Sequence, residues 1–195
     1  MYASLHPLNS PRYNSEVPFA IRDFQPADFD NLWRIDQACF PAGIAYSRAE
    51  LKLYIRRRGS FTLVAQDASQ LTLDSDPGSA PKNSLPAPFS NPGIAGFIVA
   101  EPVAEPEHHG SGHVITIDVM ATARRSGVGS LLLRSAEDRL RAAGSSSVEL
   151  ETAVDNVSAL SFYKRHGYSV IRTFPRYYSN GVDALVLNKA LEPVR

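Results

Sequence analysis

The segment Arg124-Arg125-Ser126-Gly127-Val128-Gly129 lies between a strand-like apolar run, 114–119, and a leucine-rich stretch that predicts a helix from Val128 onward. A helix that begins here offers unpaired N–H groups and the positive end of its dipole. The two glycines let a phosphate approach the backbone, and the two arginines add fixed positive charge. The segment therefore predicts a pyrophosphate-binding turn, although a plain strand-to-helix turn could carry the same residues.

Two familiar phosphate motifs do not fit this segment. A P-loop ends in Gly-Lys-Ser/Thr, whereas Gly129 is followed by Ser130 and Leu131. A dinucleotide-binding fingerprint needs a third glycine, and Leu132 occupies its position. These two nucleotide-binding classes are excluded for this turn.

A second and more specific pattern follows the turn. It reads Leu-Glu-x-x-x-x-Asn-x-x-Ala-x-x-Phe-Tyr-x-x-x-Gly-Tyr and runs from Leu150 to Tyr168. Together the two patterns resemble the GCN5-related N-acetyltransferases (GNAT), and within them the ribosomal-protein alanine N-acetyltransferases and the archaeal and eukaryotic N-terminal acetyltransferases. The tail 176–187 also fits that subgroup, and the resemblance covers 19–191.

The resemblance implies an α/β protein with the GNAT fold. Its central mixed sheet would have six or seven strands, flanked by about four helices, with a splay between the strands that end near Val119 and Glu151. Acetyl-coenzyme A would lie in that splay. The residue pattern itself predicts strands at 19–22, 61–66, 93–101, 114–119, 147–151, 169–174 and 183–189, and helices at 26–39, 48–58, 128–143 and 156–166.

Composition narrows the class of protein. The formal net charge is zero, which gives no electrostatic reason to expect nucleic acid as a partner. No apolar run approaches the ~20 residues that span a bilayer, so we expect no membrane partner. The single cysteine, Cys39, cannot form an intrachain disulfide, and it fits a cytoplasmic protein. Cys39 falls in a helical apolar stripe, which favours a role in the core.

The chain is expected to divide into a flexible N-terminal tail, 1–17, and a single N-acetyltransferase domain, 18–195. A long loop rich in proline and serine, about 69–92, interrupts the domain. His108, His109 and His113 lie close together in sequence, but no cysteine accompanies them. We therefore expect loop histidines there and no metal.

Transfer of an acetyl group to an amine needs a base for the amine, support for the oxyanion and a proton for the leaving thiolate. By the resemblance, Glu151 stands where the bacterial alanine N-acetyltransferases have a glutamate, and it is the first candidate base. His113 is a second candidate, because some N-terminal acetyltransferases have a catalytic tyrosine near that position. Tyr163 is the candidate general acid. The residues alone equally allow a water-facing carboxylate, a strand-start histidine and a core aromatic.

The resemblance also assigns contacts to the coenzyme. Backbone groups of the strand would bond the pantetheine arm, with the Val119 N–H as the expected oxyanion donor, and the turn would hold the pyrophosphate. Asn156 would bond the arm as well as cap its helix. The expected coenzyme-binding residues are Ile117, Asp118, Val119, Arg124, Arg125, Ser126, Gly127, Val128, Gly129, Ser130 and Asn156.

The N-terminal acetyltransferases of this family bind a peptide between the loop after the first helix and the loop before the last strand. Here that implies Phe40, Tyr46, Tyr177 and Tyr178. The chain departs from the family at Asp118, where a small residue is usual; if its carboxylate faced the cleft, it could favour a cationic substrate. The expected activity is acetylation of a protein N-terminal α-amine. A small-amine or lysine acetyltransferase, or a non-catalytic coenzyme-binding module, remains an alternative.

Overall fold

The computed structural model describes residues 19–68, 93–103 and 110–192. The predicted tail 1–17, the loop 69–92 and the histidines at 108 and 109 lie outside these residues. Within them, no helix combines the length and the apolar character needed to cross a bilayer.

The described residues form a seven-stranded mixed sheet in the order β1-β2-β3-β4-β5-β7-β6. Only β4 and β5 are parallel; the other neighbours are antiparallel. The expected mixed α/β sheet is thus confirmed. The strands are β1 Phe19–Asp23, β2 Phe61–Asp67, β3 Ile94–Val103, β4 Ser111–Val119, β5 Ser147–Ala153, β6 Ser169–Phe174 and β7 Ala184–Ala190, and the α-helices bounded within the described ranges are α1 Phe29–Cys39, α2 Arg48–Arg56, α3 Val128–Ala142 and α4 Val157–Arg165.

The first helix starts later than the predicted 26–39. A 3-10 turn at Pro26–Asp28 precedes it. The buried Asp28 carboxylate accepts two hydrogen bonds from the Arg22 guanidinium, at 2.7 and 2.8 Å, and one from the Gln25 N–H at 2.8 Å. These long-range and local bonds fix the turn. At α2 the sequence pattern was sufficient, because Ser47 and Glu50 form the predicted capping box.

Apolar side chains cover both faces of the sheet. On one face α3 buries Leu132, Leu133, Ala136 and Leu140 against the strands. On the other, α1 and α2 bury their apolar stripes against residues of β2 and β3. Each fully buried large aliphatic side chain contributes roughly 1.5–3 kcal/mol, so this layer arrangement holds the middle strands firmly.

The parallel strands β4 and β5 separate part-way along their length. They pair only from Ser111 opposite Ser147 to Val114 opposite Leu150. Beyond that point β4 stays paired with β3, and β5 with β7. A register shift in the β3–β4 ladder leaves Ile115 as an extra residue, which is a β-bulge. The expected splay is therefore present, and it begins next to the bulge.

Backbone groups of β4 face this gap. The Met120 N–H donates to the Ala95 carbonyl at 2.9 Å, which makes Gly96 and Val119 a non-hydrogen-bonded pair. The N–H and C=O of Val119 therefore point away from β3 and into the gap, and those of Ile117 do the same. Asp118 lies between them in the ladder, so its backbone groups bond β3. The expectation of exposed backbone groups is wrong for Asp118, because ladder bonding alternates along a strand.

One carboxylate of α1 is buried. Asp36 on α1 is fully buried, and its Oδ2 accepts hydrogen bonds from the Tyr46 N–H and from the Gln37 side chain, both at 2.9 Å. Its Oδ1 has no partner among the described residues. Burial raises the pKa of Asp36 to about 6, against the stabilising effect of the two hydrogen bonds.

This raised pKa predicts how stability depends on pH. The fold favours the protonated acid, so the contribution of Asp36 is complete below the ordinary carboxyl pKa and is lost as the pH rises through about 6. We expect the Asp36→Asn variant to lack this loss. Its free energy of unfolding, relative to that of the wild type, should increase by roughly 2 kcal/mol between pH 4.5 and pH 7.5.

Urea unfolding at the two pH values measures this difference. The Asp138→Asn variant is the control, because the side chain of Asp138 is 72% exposed. Parallel stability curves for the wild type and Asp36→Asn would contradict the prediction.

Candidate active site

The gap between β4 and β5 opens into a cleft of about 870 Å³. One end reaches the N-terminus of α3, and the other reaches the loops that follow α1 and precede β7. Most of the site residues predicted from the sequence line this one cleft. They are Phe40, Tyr46, Ile117, Val119, Arg124, Arg125, Gly127, Gly129, Ser130, Glu151, Asn156, Tyr163 and Tyr178; five others, His113, Asp118, Ser126, Val128 and Tyr177, do not line it.

The turn before α3 presents bare backbone N–H groups. Gly127 is the N-cap residue, with φ +91°, and no side chain of the described residues caps the helix. Arg125 also has a positive φ of +64°. Left-handed residues alternating with right-handed ones point successive N–H groups to one side, which suits an anion. The side chains of Ser126 and Val128 serve the turn itself: the Ser126 hydroxyl donates to the Ala123 carbonyl at 2.6 Å, and Val128 is fully buried.

Two contacts hold this turn against the sheet. The Arg124 Nε donates to the Val119 carbonyl at 3.2 Å, which joins the turn to the end of β4. The Cys39 thiol donates to the same carbonyl at 3.4 Å. Cys39 packs against the α1 core as expected, but it also lines the cleft. Burial raises the pKa of the Cys39 thiol, so it stays protonated at neutral pH.

The two candidate bases form a pair. The His113 Nε2 lies 2.7 Å from the Glu151 Oε2, and their side chains are 29% and 18% exposed. An ionised carboxylate only accepts, so the Nε2 carries the hydrogen when Glu151 is charged. His113 is the next-to-last residue of β4 that pairs with β5. Glu151 is the first residue of β5 beyond that pairing. The parallel register thus brings together two residues that the sequence offered as alternatives.

Tyr163 is both a core residue and a cleft residue. It is 6% exposed, and its ring lies edge-on to Phe162 and to Tyr168 at centroid distances of 5.3 and 5.7 Å. Its hydroxyl has no hydrogen-bond partner within the described ranges. Burial raises its pKa above the ordinary value, so the phenol keeps its proton throughout the physiological range.

Asp118 does not face the cleft. Its side chain is 1% exposed, and its Oδ2 accepts a hydrogen bond from the Thr116 hydroxyl at 2.8 Å. Burial, followed by the nearby Asp36 charge, raises its pKa. The suggestion that Asp118 favours a cationic substrate required its carboxylate to face the cleft. Because the carboxylate is buried and does not line the cleft, the suggestion is wrong.

At the start of α4, Asn156 acts as the expected cap. Its Oδ1 accepts a hydrogen bond from the Ala159 N–H at 3.1 Å, and Asn156 also lines the cleft. The capping bond uses the carbonyl oxygen only. The side-chain amide therefore remains able to donate to a ligand in the cleft.

The far end of the cleft has aromatic walls. Tyr46 is tied down at both ends, since its N–H bonds Asp36 and its hydroxyl donates to the carbonyl of the bulged Ile115 at 3.3 Å. Tyr178 lines the cleft, whereas Tyr177 is 51% exposed and stacks on Phe174 outside it. Tyr177, which the sequence predicted to contact the substrate, therefore lies outside the cleft.

Sequence reasoning missed a bridge over this end. The Ser179 hydroxyl donates to the Gly43 carbonyl at 2.9 Å and joins the loop after α1 to the loop before β7. Gly43 has φ +87°, and a Cβ there would lie 3.0 Å from the Ser179 hydroxyl. The only sequence signal was the glycine in the α1–α2 loop.

Comparison with known proteins decides the family. Residues 29–168 match the model of the acetyltransferase (GNAT) family. The chain belongs to this family. It is 33% identical over 91 residues to N-alpha-acetyltransferase 30 of Schizosaccharomyces pombe, a match that covers 45% of this chain and 61% of that protein. The chain spans about half the length of the curated relatives it matches.

Solved structures share the GNAT fold. Ard1 from Thermoplasma volcanium has a TM-score of 0.69 at 24% identity, covering 90% of this chain and 99% of that one. The ribosomal-protein-S18-alanine N-acetyltransferase from Escherichia coli has a TM-score of 0.66 at 17% identity, covering 91% and 96%. At these identities the likeness shows the fold alone.

GNAT proteins use acetyl-coenzyme A. The cleft residues of this chain fit that molecule. The uncapped N-terminus of α3, with Arg124 and Arg125 beside it, matches a pyrophosphate. The backbone N–H groups of Ile117 and Val119 and the Ile117 carbonyl, which point away from β3, match a chain that carries amides.

The turn makes a prediction about Gly127. An alanine at φ +91° is strained by about 1–2 kcal/mol. Relaxation of that strain moves the N–H groups of the turn. We expect Gly127→Ala to weaken binding of coenzyme A by about tenfold, a loss of about 1.4 kcal/mol, as measured by isothermal titration calorimetry.

Gly59 provides the matched control. It has the same φ of +91°, no atom of the described residues apart from its chain neighbours lies within 4 Å of the position that an alanine Cβ would take, and it lies outside the cleft. Gly59→Ala should lower the stability similarly and leave the affinity for coenzyme A unchanged. Equal affinities in the two variants would refute the role of the turn.

Proposed function

We propose that this GNAT protein transfers the acetyl group of acetyl-coenzyme A to the α-amine of a peptide or protein N-terminus. The observation that carries the proposal is the His113–Glu151 pair at the point where β4 and β5 separate. It lies between the phosphate-binding turn and the aromatic end of the cleft. The similarity to an N-alpha-acetyltransferase supports the same substrate class. The cytoplasm, where Cys39 stays reduced, is the proposed compartment.

The base that this cleft offers suits an α-amine. The α-amino group has a pKa of about 8, whereas that of a lysine side chain is about 10.4. A fraction of α-amines is therefore already neutral near pH 7. A carboxylate such as Glu151, acting directly or through one water, is a sufficient base for the rest.

Each proposed catalytic role is assigned to a particular group of the chain. Acetyl-coenzyme A supplies the acetyl group as a thioester. The Glu151 carboxylate accepts the proton of the amine, and the His113 Nε2–H holds that carboxylate in place. The Val119 N–H, which faces the gap, donates to the acetyl oxygen. As the C–N bond forms, the C–S bond of the thioester would break, and the Tyr163 hydroxyl, which is protonated at neutral pH, would supply a proton to the leaving thiolate.

The substrate end supports a peptide. Phe40, Tyr46 and Tyr178 provide apolar walls, and Tyr178 also carries a hydroxyl group able to bond a peptide backbone. The hydrogen bond from Ser179 to Gly43 joins the two loops whose residues line this end, and the walls that these loops form suit an extended chain terminus. Asp118 does not add an acidic floor, because its side chain is buried outside the cleft.

Release of free thiol from acetyl-coenzyme A tests this proposal. The acceptors are short peptides with varied first residues, an N-terminally blocked lysine peptide and a polyamine. We expect turnover on free N-termini only, and a loss of at least a hundredfold in the Glu151→Gln variant. Turnover confined to the lysine peptide or the polyamine would move the activity to another amine class. Coenzyme binding without any turnover would indicate a binding module.

Tyr163 makes a separate prediction. We expect Tyr163→Phe to lower turnover by more than tenfold, with the affinity for coenzyme A and the fold retained, because only a buried proton donor is lost. Tyr168→Phe is the control, since its hydroxyl bonds Glu137 at 3.0 Å and lies away from the cleft. That control should lose stability by about 1 kcal/mol and keep its turnover. Normal turnover in a folded Tyr163→Phe variant would remove Tyr163 from the mechanism.

A further inference from the structure

His166 lies where the last turn of α4 meets the first turn of α3. Its Nδ1 is 2.9 Å from the Phe162 carbonyl, and its Nε2 is 3.0 Å from the Ser130 hydroxyl. The half-buried ring also packs on the Phe162 ring at a centroid distance of 4.4 Å. Ser130 lines the cleft in the first turn of α3, whereas His166 does not line it. His166 is therefore one hydrogen bond removed from the phosphate-binding turn.

The hydrogen-bond partners of His166 determine which of its ring nitrogens carry a hydrogen. A carbonyl oxygen only accepts, so the Nδ1 of His166 must carry a hydrogen. In the neutral ring the Nε2 is then an acceptor, and Ser130 must donate its single proton to it. In the charged ring the Nε2 also carries a hydrogen. The Ser130 oxygen then accepts, and its own proton is free to turn toward the cleft.

This difference matters for a phosphate, whose oxygens at neutral pH only accept. With a neutral His166, Ser130 presents only lone pairs to the cleft, and these repel a phosphate oxygen. With a charged His166, Ser130 presents an O–H donor beside the N–H groups at the start of α3. A bound pyrophosphate therefore favours the charged ring.

The surrounding charges act in the same direction. The cations near the ring are Lys164 and Arg165 next to it on α4, Arg125 in the turn and Arg134 one helical turn beyond Ser130. The positive end of the α3 dipole also faces it. A bound polyanion would attract these cations and a charged ring alike.

Three further features complete the electrostatic surroundings of the ring. The acidic side chain of Glu137 on α3 is engaged by Tyr168 and Lys189. The C-terminal end of α4, where His166 is the cap residue, stabilises a cation. Asp155 lies before the opposite end of α4.

We propose that His166 is a positioning residue for the coenzyme: it turns the Ser130 hydroxyl, and pyrophosphate binding is accompanied by uptake of a proton on the His166–Ser130 pair. The inference rests on the proposed use of acetyl-coenzyme A. Imidazole changes charge between pH 5 and 8. Binding should therefore tighten as the pH falls through that range.

The test is calorimetric titration with 3′-dephospho-coenzyme A between pH 6 and pH 8. This probe is used because the 3′-phosphate of coenzyme A itself titrates near pH 6, whereas the pyrophosphate keeps its charge. We expect binding at least fivefold tighter at pH 6 than at pH 8. Titrations in buffers with different ionisation enthalpies should show net proton uptake on binding.

Two variants isolate the pair. Ser130→Ala keeps the ring but removes the hydroxyl, and His166→Gln removes the titrating group; in both, the pH dependence should fall below twofold. Ser135→Ala is the control, because Ser135 is also on α3 but does not line the cleft. It should behave as the wild type.

The outcomes separate this inference from the proposed function. Affinity that is independent of pH in the wild type, or a pH dependence that survives in Ser130→Ala, overturns the role of His166 alone. No binding of the probe or of coenzyme A at any pH overturns both the use of the coenzyme and this inference.

Discussion

Beyond Val114 and Leu150, β4 and β5 share no hydrogen bonds, and the N–H groups of Ile117 and Val119 face the space between them. A buried polar group without a partner costs about 1–3 kcal/mol, so such a gap needs water or a polar ligand to complete it. The turn before α3, the His113–Glu151 pair and the aromatic end of the cleft are all arranged along this gap.

The gap stays open because each strand is held by another neighbour. The arm of β4 remains in the ladder with β3, and β5 remains in the ladder with β7. Side chains fasten the open edge: Tyr46 bonds the bulged Ile115, and Arg124 bonds the carbonyl of Val119. The same contacts link the aromatic end of the cleft and the turn before α3 to one strand.

Local patterns in the sequence were sufficient for the elements and for the turn before α3, because periodicity, the Ser47 cap and the two glycines act over a few residues. The site required more. That His113 and Glu151 form a pair depends on the β4–β5 register, and that Asp118 turns away depends on the β3–β4 ladder. Ser130 and His166 are 36 residues apart in sequence, and their contact joins α3 to the end of α4. No local sequence pattern reveals this contact.

Residue-resolved amide hydrogen exchange, with and without coenzyme A, tests whether the gap between β4 and β5 is the coenzyme-binding site. The account predicts that the coenzyme slows exchange at Ile117, at Val119 and at the start of α3, while the Asp118 amide, already bonded to β3, changes little. Coenzyme binding that leaves the amides of Ile117 and Val119 unprotected would contradict it, because the gap between β4 and β5 would then not be the binding site.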